Sequence, residues 1–111
     1  MDKLQSYCLS FEMVTLNIEN KVIIIVGIHD KSIENFVKTL AKNGNRIVLG
    51  DTSLEKLKKL QREIAKEYGN VIFRITDSSS EKDIRNLQKY AVYEFGKIDL
   101  WFYGSNIDLS K

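Results

Sequence analysis

The run Val22-Ile23-Ile24-Ile25-Val26-Gly27 decides the fold class of this chain. Its five β-branched residues favour an extended strand, and the glycine after them favours a turn. Because every position in the strand is apolar, both of its faces must be covered. Strands of this kind lie in the middle of parallel sheets that carry helices on both faces.

Three amphipathic patterns at helical spacing alternate with three further apolar runs along the rest of the chain. The apolar runs cover residues 47–49, 71–76 and 98–103. This alternation predicts a parallel sheet, because each crossover helix returns the chain to the same end of the sheet. We therefore predict an α/β fold of the Rossmann-like type, with three layers α/β/α and four parallel strands in the order 3-2-1-4.

The ends of the helices are marked by residues that favour caps and turns. Gly44 is expected to end the first helix in a left-handed conformation. Thr52 and Glu55 have capping-box spacing and predict the start of the second helix, which we expect to continue as far as Gly69. A serine run starts the third helix, and Gly96 ends it.

The composition is that of one globular domain. The chain has 111 residues, of which 43% are hydrophobic and 29% charged, and this length is too short for two domains. Residues 1–15 show no regular pattern and are predicted to form a loose N-terminal extension. Residues 16–111 are predicted to form a truncated, Rossmann-like half-domain.

The same composition argues against several kinds of partner. The net charge is only +2, and the charges alternate in sign along the predicted helices, so we expect no nucleic-acid binding. No apolar run is long enough to cross a bilayer, so we expect no membrane insertion. Cys8 is the only cysteine and cannot form an internal disulfide, which favours a reducing, cytoplasmic location.

Ligands of Rossmann-like folds bind at the carboxyl ends of the strands, where the strand order reverses. The candidate site residues follow the four predicted strands. They are Gly27, His29, Lys31, Asp51, Asp77 and Gly104. Glycine lets a ligand approach the backbone, and lysine can pair with a phosphate. The two aspartates are equally well explained as strand-end and helix-cap residues, and a lone loop histidine is usually only polar surface.

Over roughly residues 16–107 the sequence resembles the short-chain dehydrogenase/reductase family. Gly27 matches the first glycine of that family's Thr-Gly-x-x-x-Gly-x-Gly turn, and Phe95-Gly96-Lys97-Ile98-Asp99-Leu100 is similar to its approach to strand 4. The resemblance implies that Asp51 hydrogen-bonds the adenosine ribose and repels the 2′-phosphate of NADP, so the expected cofactor is NAD. It also implies an adenine contact at Asp77.

Several positions depart from the family's pattern. Lys31 stands where the family has its second glycine, and Ile33 where it has its third. The second glycine lets the backbone approach the pyrophosphate, and the third lets the helix pack closely on strand 1, so both changes are adverse for a dinucleotide. The family's Asn-Asn-Ala-Gly motif after strand 4 reads Tyr103-Gly104-Ser105-Asn106 here.

We expect this chain to hold no catalytic residues. Tyr93 and Lys97 have the spacing of the family's catalytic Tyr-x-x-x-Lys pair, but they precede strand 4 and belong at the amino ends of the strands. The family's catalytic serine, tyrosine and lysine would fall beyond Lys111. The resemblance therefore implies the NAD(P)-binding part of an oxidoreductase that cannot transfer hydride alone.

Two alternatives of other classes stay open. The chain could be a degenerate Rossmann module that serves assembly and binds no cofactor. It could also be a receiver-like signalling domain with Asp77 as phosphoacceptor, although Gly27-Ile28 lacks the acidic pair that holds Mg²⁺ in such a domain. The fourth strand, residues 98–103, would be a sheet edge, so we expect self-association or docking of a complementary chain there.

Overall fold

The computed structural model describes residues 18–104, which form an open sheet with helices on both faces. The elements in chain order are β1 (Val22–Val26), α1 (Lys31–Lys42), β2 (Arg46–Asp51), α2 (Leu54–Ala65), β3 (Val71–Ile75), α3 (Glu81–Phe95) and β4 (Leu100–Tyr103). All neighbouring strands are parallel, in the order β3-β2-β1-β4. The predicted Rossmann-like α/β fold and its strand order are confirmed. The predicted extension, residues 1–15, lies outside the described residues.

The central strand is β1, which pairs with β2 on one side and with β4 on the other. All five of its residues are buried, as the unbroken apolar run predicts. Ile23 and Ile25 belong to the core under α1 and α2, whereas Ile24 and Val26 belong to the core under α3. The helices therefore form the two outer layers of the predicted three.

The two faces of the sheet are covered unequally. The core under α1 and α2 contains 14 buried residues with four partly buried hydrophobic residues packed against it. The core under α3 contains five buried residues, with seven partly buried ones around it. Trp101 and Tyr103 are among those seven, so the α3 face is open next to β4.

The start of α2 differs from the sequence prediction. Its N-cap is Ser53, whose hydroxyl accepts a hydrogen bond from the backbone N–H of Lys56 at 3.3 Å. Thr52, which the capping-box spacing predicted, is exposed and does not cap the helix. The carboxylate of Asp51 accepts the N–H of Ser53 at 2.9 Å, and this bond fixes the turn that places Ser53 at the cap.

The end of α2 also differs, because the helix stops at Ala65 and does not reach Gly69. The backbone tightens there, and the N–H of Glu67 bonds the carbonyl of Ile64, three residues back, at 3.0 Å. The predicted stops of the other helices are confirmed: Gly96 caps α3 in a left-handed conformation, and Gly44 follows α1 in the same conformation.

One buried polar residue that the sequence analysis did not single out fixes the start of β1. Asn45 is 3% exposed, and its amide donates to the carbonyls of Ile18 at 3.0 Å and Leu40 at 2.8 Å. Its Oδ1 accepts the N–H of Lys21 at 2.9 Å. Asn45 therefore ties the residues before β1 to the turn between α1 and β2.

Candidate functional site

The loops after the first three strands lie side by side at one edge of the sheet. The N–H of Gly27 donates to the carbonyl of Gly50 at 2.8 Å, and the N–H of Thr76 donates to the carbonyl of Asp51 at 2.9 Å. Asp77 follows Thr76 directly. The structure thus brings Gly27, Asp51 and Asp77 to the carboxyl edge of one parallel sheet.

Asp51 is the most constrained candidate residue at this edge. It ends β2 and is 9% exposed. One carboxylate oxygen accepts the N–H of Ile28 at 2.9 Å, and the other accepts the N–H of Ser53 at 2.9 Å. Each oxygen retains a further acceptor position, so the carboxylate can still bind a hydroxyl. Asp51 is therefore both a brace between two loops and an available acceptor.

Gly27 and Gly104 meet where the strand order reverses, at the ends of β1 and β4. Gly27 has a φ of +90°, which favours glycine, and a Cβ added to Gly104 would collide with the carbonyl oxygen of Gly27. The imidazole of His29 covers both residues: a Cβ built on Gly27 would lie 3.1 Å from Nε2, and one on Gly104 would lie 3.2 Å from Cδ2. These glycines therefore contact each other and His29.

The N-terminus of α1 is capped by a carboxylate that the sequence analysis did not single out. The side chain of Asp30 accepts the N–H of Ile33 at 3.1 Å. Its place three residues before the apolar stripe of the helix is an N-cap signal that could have been read from the sequence. Lys31 points to solvent, 68% exposed, and lies 3.6 Å from the carboxylate of Glu34.

Ile33 points away from this edge and into the core. It is 3% exposed and belongs to the cluster under α1 and α2. The side chain at the family's third glycine position is thus accommodated by burial. A helix that carries isoleucine here presents no bare backbone at this position.

Asp77 lies in an exposed turn that leads into α3. Its carboxylate accepts the backbone N–H of Ser79 at 2.9 Å and the hydroxyl of Ser79 at 2.7 Å. These two bonds, the hydroxyl first, lower the pKa of Asp77 below its usual range. The N–H of Asp77 donates to Asp83 at 2.9 Å. The carboxylate is ionised and accessible, and its visible role is to hold the turn.

These residues fit one part of a dinucleotide and not another. A ribose diol can donate to the free acceptor positions of Asp51. A pyrophosphate needs bare backbone and an unoccupied helix N-terminus, whereas here Asp30 already holds an N–H of α1 with a negative charge. The edge therefore suits the adenosine end of a dinucleotide better than its phosphates.

Two other features lie away from this edge. Tyr93 is 84% exposed, and Lys97 lies 3.3 Å from Asp99, at the amino ends of the strands. A groove of about 590 Å³ opens between the last turns of α1 and α2, also at the amino ends; its lining includes Lys42 and Arg62. Neither feature can contact a ligand held by Asp51.

The part of the chain that the structure describes, residues 18–104, contains no group of three or more side chains suited to hold a metal ion. Over the same residues, none of the helices combines the length and the apolar character needed to cross a bilayer.

An open parallel sheet with its loops gathered at the carboxyl edge defines the Rossmann class of nucleotide-binding folds. A sequence model of the family described as short chain dehydrogenase matches residues 21–108 of this chain. The chain therefore belongs to the short-chain dehydrogenase/reductase family, as the resemblance implied.

Relatives and solved structures agree with this assignment. An uncharacterized oxidoreductase of Listeria innocua is 35% identical over 92 residues, which are 83% of this chain and 37% of that protein. A short chain dehydrogenase/reductase from Burkholderia phymatum, in complex with NAD, is 27% identical with a TM-score of 0.71, over 76% of this chain and 30% of that one.

An alcohol dehydrogenase from the archaeon Thermococcus sibiricus, complexed with 5-hydroxy-NADP, is 28% identical with a TM-score of 0.67. The match covers 73% of this chain and 35% of that one. This chain thus spans about a third of the length of the relatives it matches.

Proposed function

We propose that this chain is the nucleotide-binding part of a short-chain dehydrogenase/reductase and holds the adenosine end of NAD against Asp51. The single observation that carries the proposal is the buried carboxylate of Asp51 at the end of β2, next to the loop that follows Gly27. The complexes of the Burkholderia phymatum and Thermococcus sibiricus proteins with NAD and 5-hydroxy-NADP support a ligand of this class.

NAD is the expected partner and NADP is not. A 2′-phosphate on the adenosine ribose would lie close to the carboxylate of Asp51, and two like charges in a partly buried site repel each other. In addition, Lys31 already lies beside Glu34, and the ammonium of Lys56 already donates to the carbonyl of Ile28. These lysines therefore offset little of the negative charge of a 2′-phosphate.

Hydride transfer is not proposed for the described residues. Among the described residues, the lysine beside Asp51 is Lys56, and its ammonium already donates to the carbonyl of Ile28 at 3.0 Å. It is therefore not placed to exchange a proton with a substrate. We propose that these residues supply nucleotide binding and that catalysis needs other segments of the family's fold.

A second candidate function is an assembly module that binds no cofactor. The observation that favours it is the helix N-terminus that Asp30 already caps. We propose β4 as its contact surface, for one complementary chain or a second copy, and a reducing, cytoplasmic compartment as its location. Support for the surface comes from the half-buried Trp101 and Tyr103.

Calorimetric titration of the whole chain with NAD and NADP tests the proposed function. We expect NAD to bind about tenfold more tightly than NADP, and Asp51→Asn to weaken NAD binding by about tenfold, because a charge-assisted hydrogen bond is lost. Glu94→Gln, which removes an exposed carboxylate at the far end of α3, is the matched control and should leave the affinity unchanged.

Thermal unfolding of Asp51→Asn must accompany this titration, because Asp51 also braces two loops. If the variant unfolds, the comparison of NAD with NADP on the unaltered chain still decides the question. Equal affinity for the two nucleotides would contradict the role of Asp51. Absence of binding of either one at millimolar concentration would favour the assembly module.

A further inference from the structure

A side-chain carboxylate, that of Asp30, already lies at the N-terminus of α1. Asp30 has an extended backbone and places its carboxylate at the N-terminus of a 12-residue helix, where it accepts the N–H of Ile33 at 3.1 Å. In Rossmann-like folds a pyrophosphate uses this end of the helix. The carboxylate and a pyrophosphate would therefore compete for the same N–H groups and the same positive end of the helix dipole.

The charges around this position make the competition unequal. Asp30, Glu34 and Asp51 place three carboxylates near the loop after β1, against the ammonium groups of Lys31 and Lys56. Lys31 lies beside Glu34 and Lys56 donates to the carbonyl of Ile28. Of these five groups three are negative and two are positive, so together they disfavour an incoming pyrophosphate.

The backbone that a pyrophosphate would approach is also covered. The imidazole of His29 packs against Gly27 and Gly104, and the position of the third glycine carries the buried side chain of Ile33. In contrast, the free acceptor positions of Asp51 are untouched by these changes. The acceptor positions at the adenosine end of the crevice are thus preserved, whereas the phosphate end is less favourable for a pyrophosphate.

We propose that Asp30 sets the ligand preference of this crevice, so that it favours a nucleoside of the adenosine type over ligands that carry a pyrophosphate. This inference rests on the adenosine contact at Asp51 in the proposed function. Asp30 acts by electrostatic repulsion and by occupying a helix N–H, and it is a specificity-determining residue without any role in chemistry.

Calorimetric titration of the full chain with adenosine, ADP and NAD tests the proposal in the unaltered protein and in Asp30→Ser. Serine is as good an N-cap as aspartate, so the variant keeps the cap of α1 and loses only the charge. Glu94→Gln is the control for a lost surface carboxylate.

We expect Asp30→Ser to bind ADP and NAD about tenfold more tightly than the unaltered chain, because a unit negative charge beside the pyrophosphate is removed. The affinity for adenosine should stay within about twofold. The difference between the two proteins should shrink as salt is added, because the repulsion is screened. A purely structural role of Asp30 would not give this salt dependence.

The outcomes separate this inference from the proposed function. If the unaltered chain binds NAD more tightly than adenosine and Asp30→Ser does not change the affinity, the inference is overturned and the proposed function stands. If the unaltered chain binds none of the three but Asp30→Ser binds ADP and NAD, then Asp30 does repel a pyrophosphate, but the preference for adenosine and the binding of NAD by the unaltered chain are both disproved. Absence of binding in every variant, with melting curves that show folded protein, overturns both.

Discussion

Ile33 contributes to the core from a position where the family's pattern has glycine. It is 3% exposed and belongs to the cluster under α1 and α2. Restoring glycine would remove a buried side chain and loosen the first turn of α1. We expect Ile33→Gly to lower the free energy of unfolding by about 3 to 5 kcal/mol. Unfolding in urea, followed by circular dichroism, measures this change.

Lys31→Ala is the matched control for Ile33→Gly, because Lys31 lies in the same helical turn but is exposed. It should change the stability by less than about 0.5 kcal/mol. A glycine at position 33 that left the midpoint unchanged would show that Ile33 does not support the packing of α1.

The candidate site was partly predictable from single residues. Asp51 and Asp77 could be placed at the carboxyl edge of the sheet because they follow apolar runs, and the ends of parallel strands meet at one edge. The two N–H groups that bind Asp51 could not be predicted, because they depend on the conformation of two loops. The cap at Asp30 was predictable from its position three residues before Ile33. The comparison with the family's glycine pattern pointed to Lys31 instead.

At the scale of elements, β4 is joined to β1 by a reciprocal pair of hydrogen bonds. The N–H of Val22 donates to the carboxylate of Asp99 at 2.9 Å, and the N–H of Asp99 donates to the carbonyl of Val22 at 2.9 Å. The sequence analysis predicted that the fourth strand starts at residue 98, but β4 starts at Leu100, directly after this pair.

The hydrogen bond from Val22, with help from Lys97, lowers the pKa of Asp99 below its ordinary value of 3.8. The folded chain therefore binds this proton more weakly than the unfolded chain. The stabilisation is present above the unfolded pKa and is lost as the pH falls through the lower folded value. We expect Asp99→Asn to reduce the loss of melting temperature on acidification below about pH 4.

Thermal unfolding between neutral and strongly acidic pH measures this effect. Glu94→Gln is again a suitable control, since its carboxylate is exposed. It should follow the unaltered chain over the whole range. If Asp99→Asn did so too, the link between Asp99 and Val22 would not stabilise the ionised carboxylate.

The elements were predictable to different degrees. The apolar runs located all four strands. Burial on both faces explains the unbroken pattern of β1, whereas β3 and β4 are only partly buried and were located by their largely apolar sequence. The ends of α2 were not predictable from spacing. Its start depends on the bond from Ser53 to Asp51, and its end on a tightened turn at Glu67. Such contacts form only after the loops have folded.

At the scale of the whole molecule, the open part of the α3 face predicts association. Within the described residues β4 pairs only with β1. The rings of Trp101 and Tyr103 lie on this half-covered face with centroids 5.9 Å apart and planes tilted by 36°. A strand with one free edge next to large apolar side chains favours contact with another chain. Light scattering should show a hydrodynamic radius that rises with protein concentration.

Tyr93→Ser is the control for this measurement, because it removes an aromatic ring that is 84% exposed on α3 and leaves β4 unchanged. Association through β4 should persist in this variant. A radius that stays constant over a wide range of concentration would rule out β4 as a self-contact, and a partner of another sequence would then have to be sought.

The hydrogen bond between Val22 and Asp99 joins residues that are 77 positions apart. During synthesis on the ribosome, β1 emerges early but finds its second neighbour only after nearly all of the described chain has been made. One edge of β1 therefore stays unpaired on the nascent polypeptide until then, and a chaperone can bind it during that time.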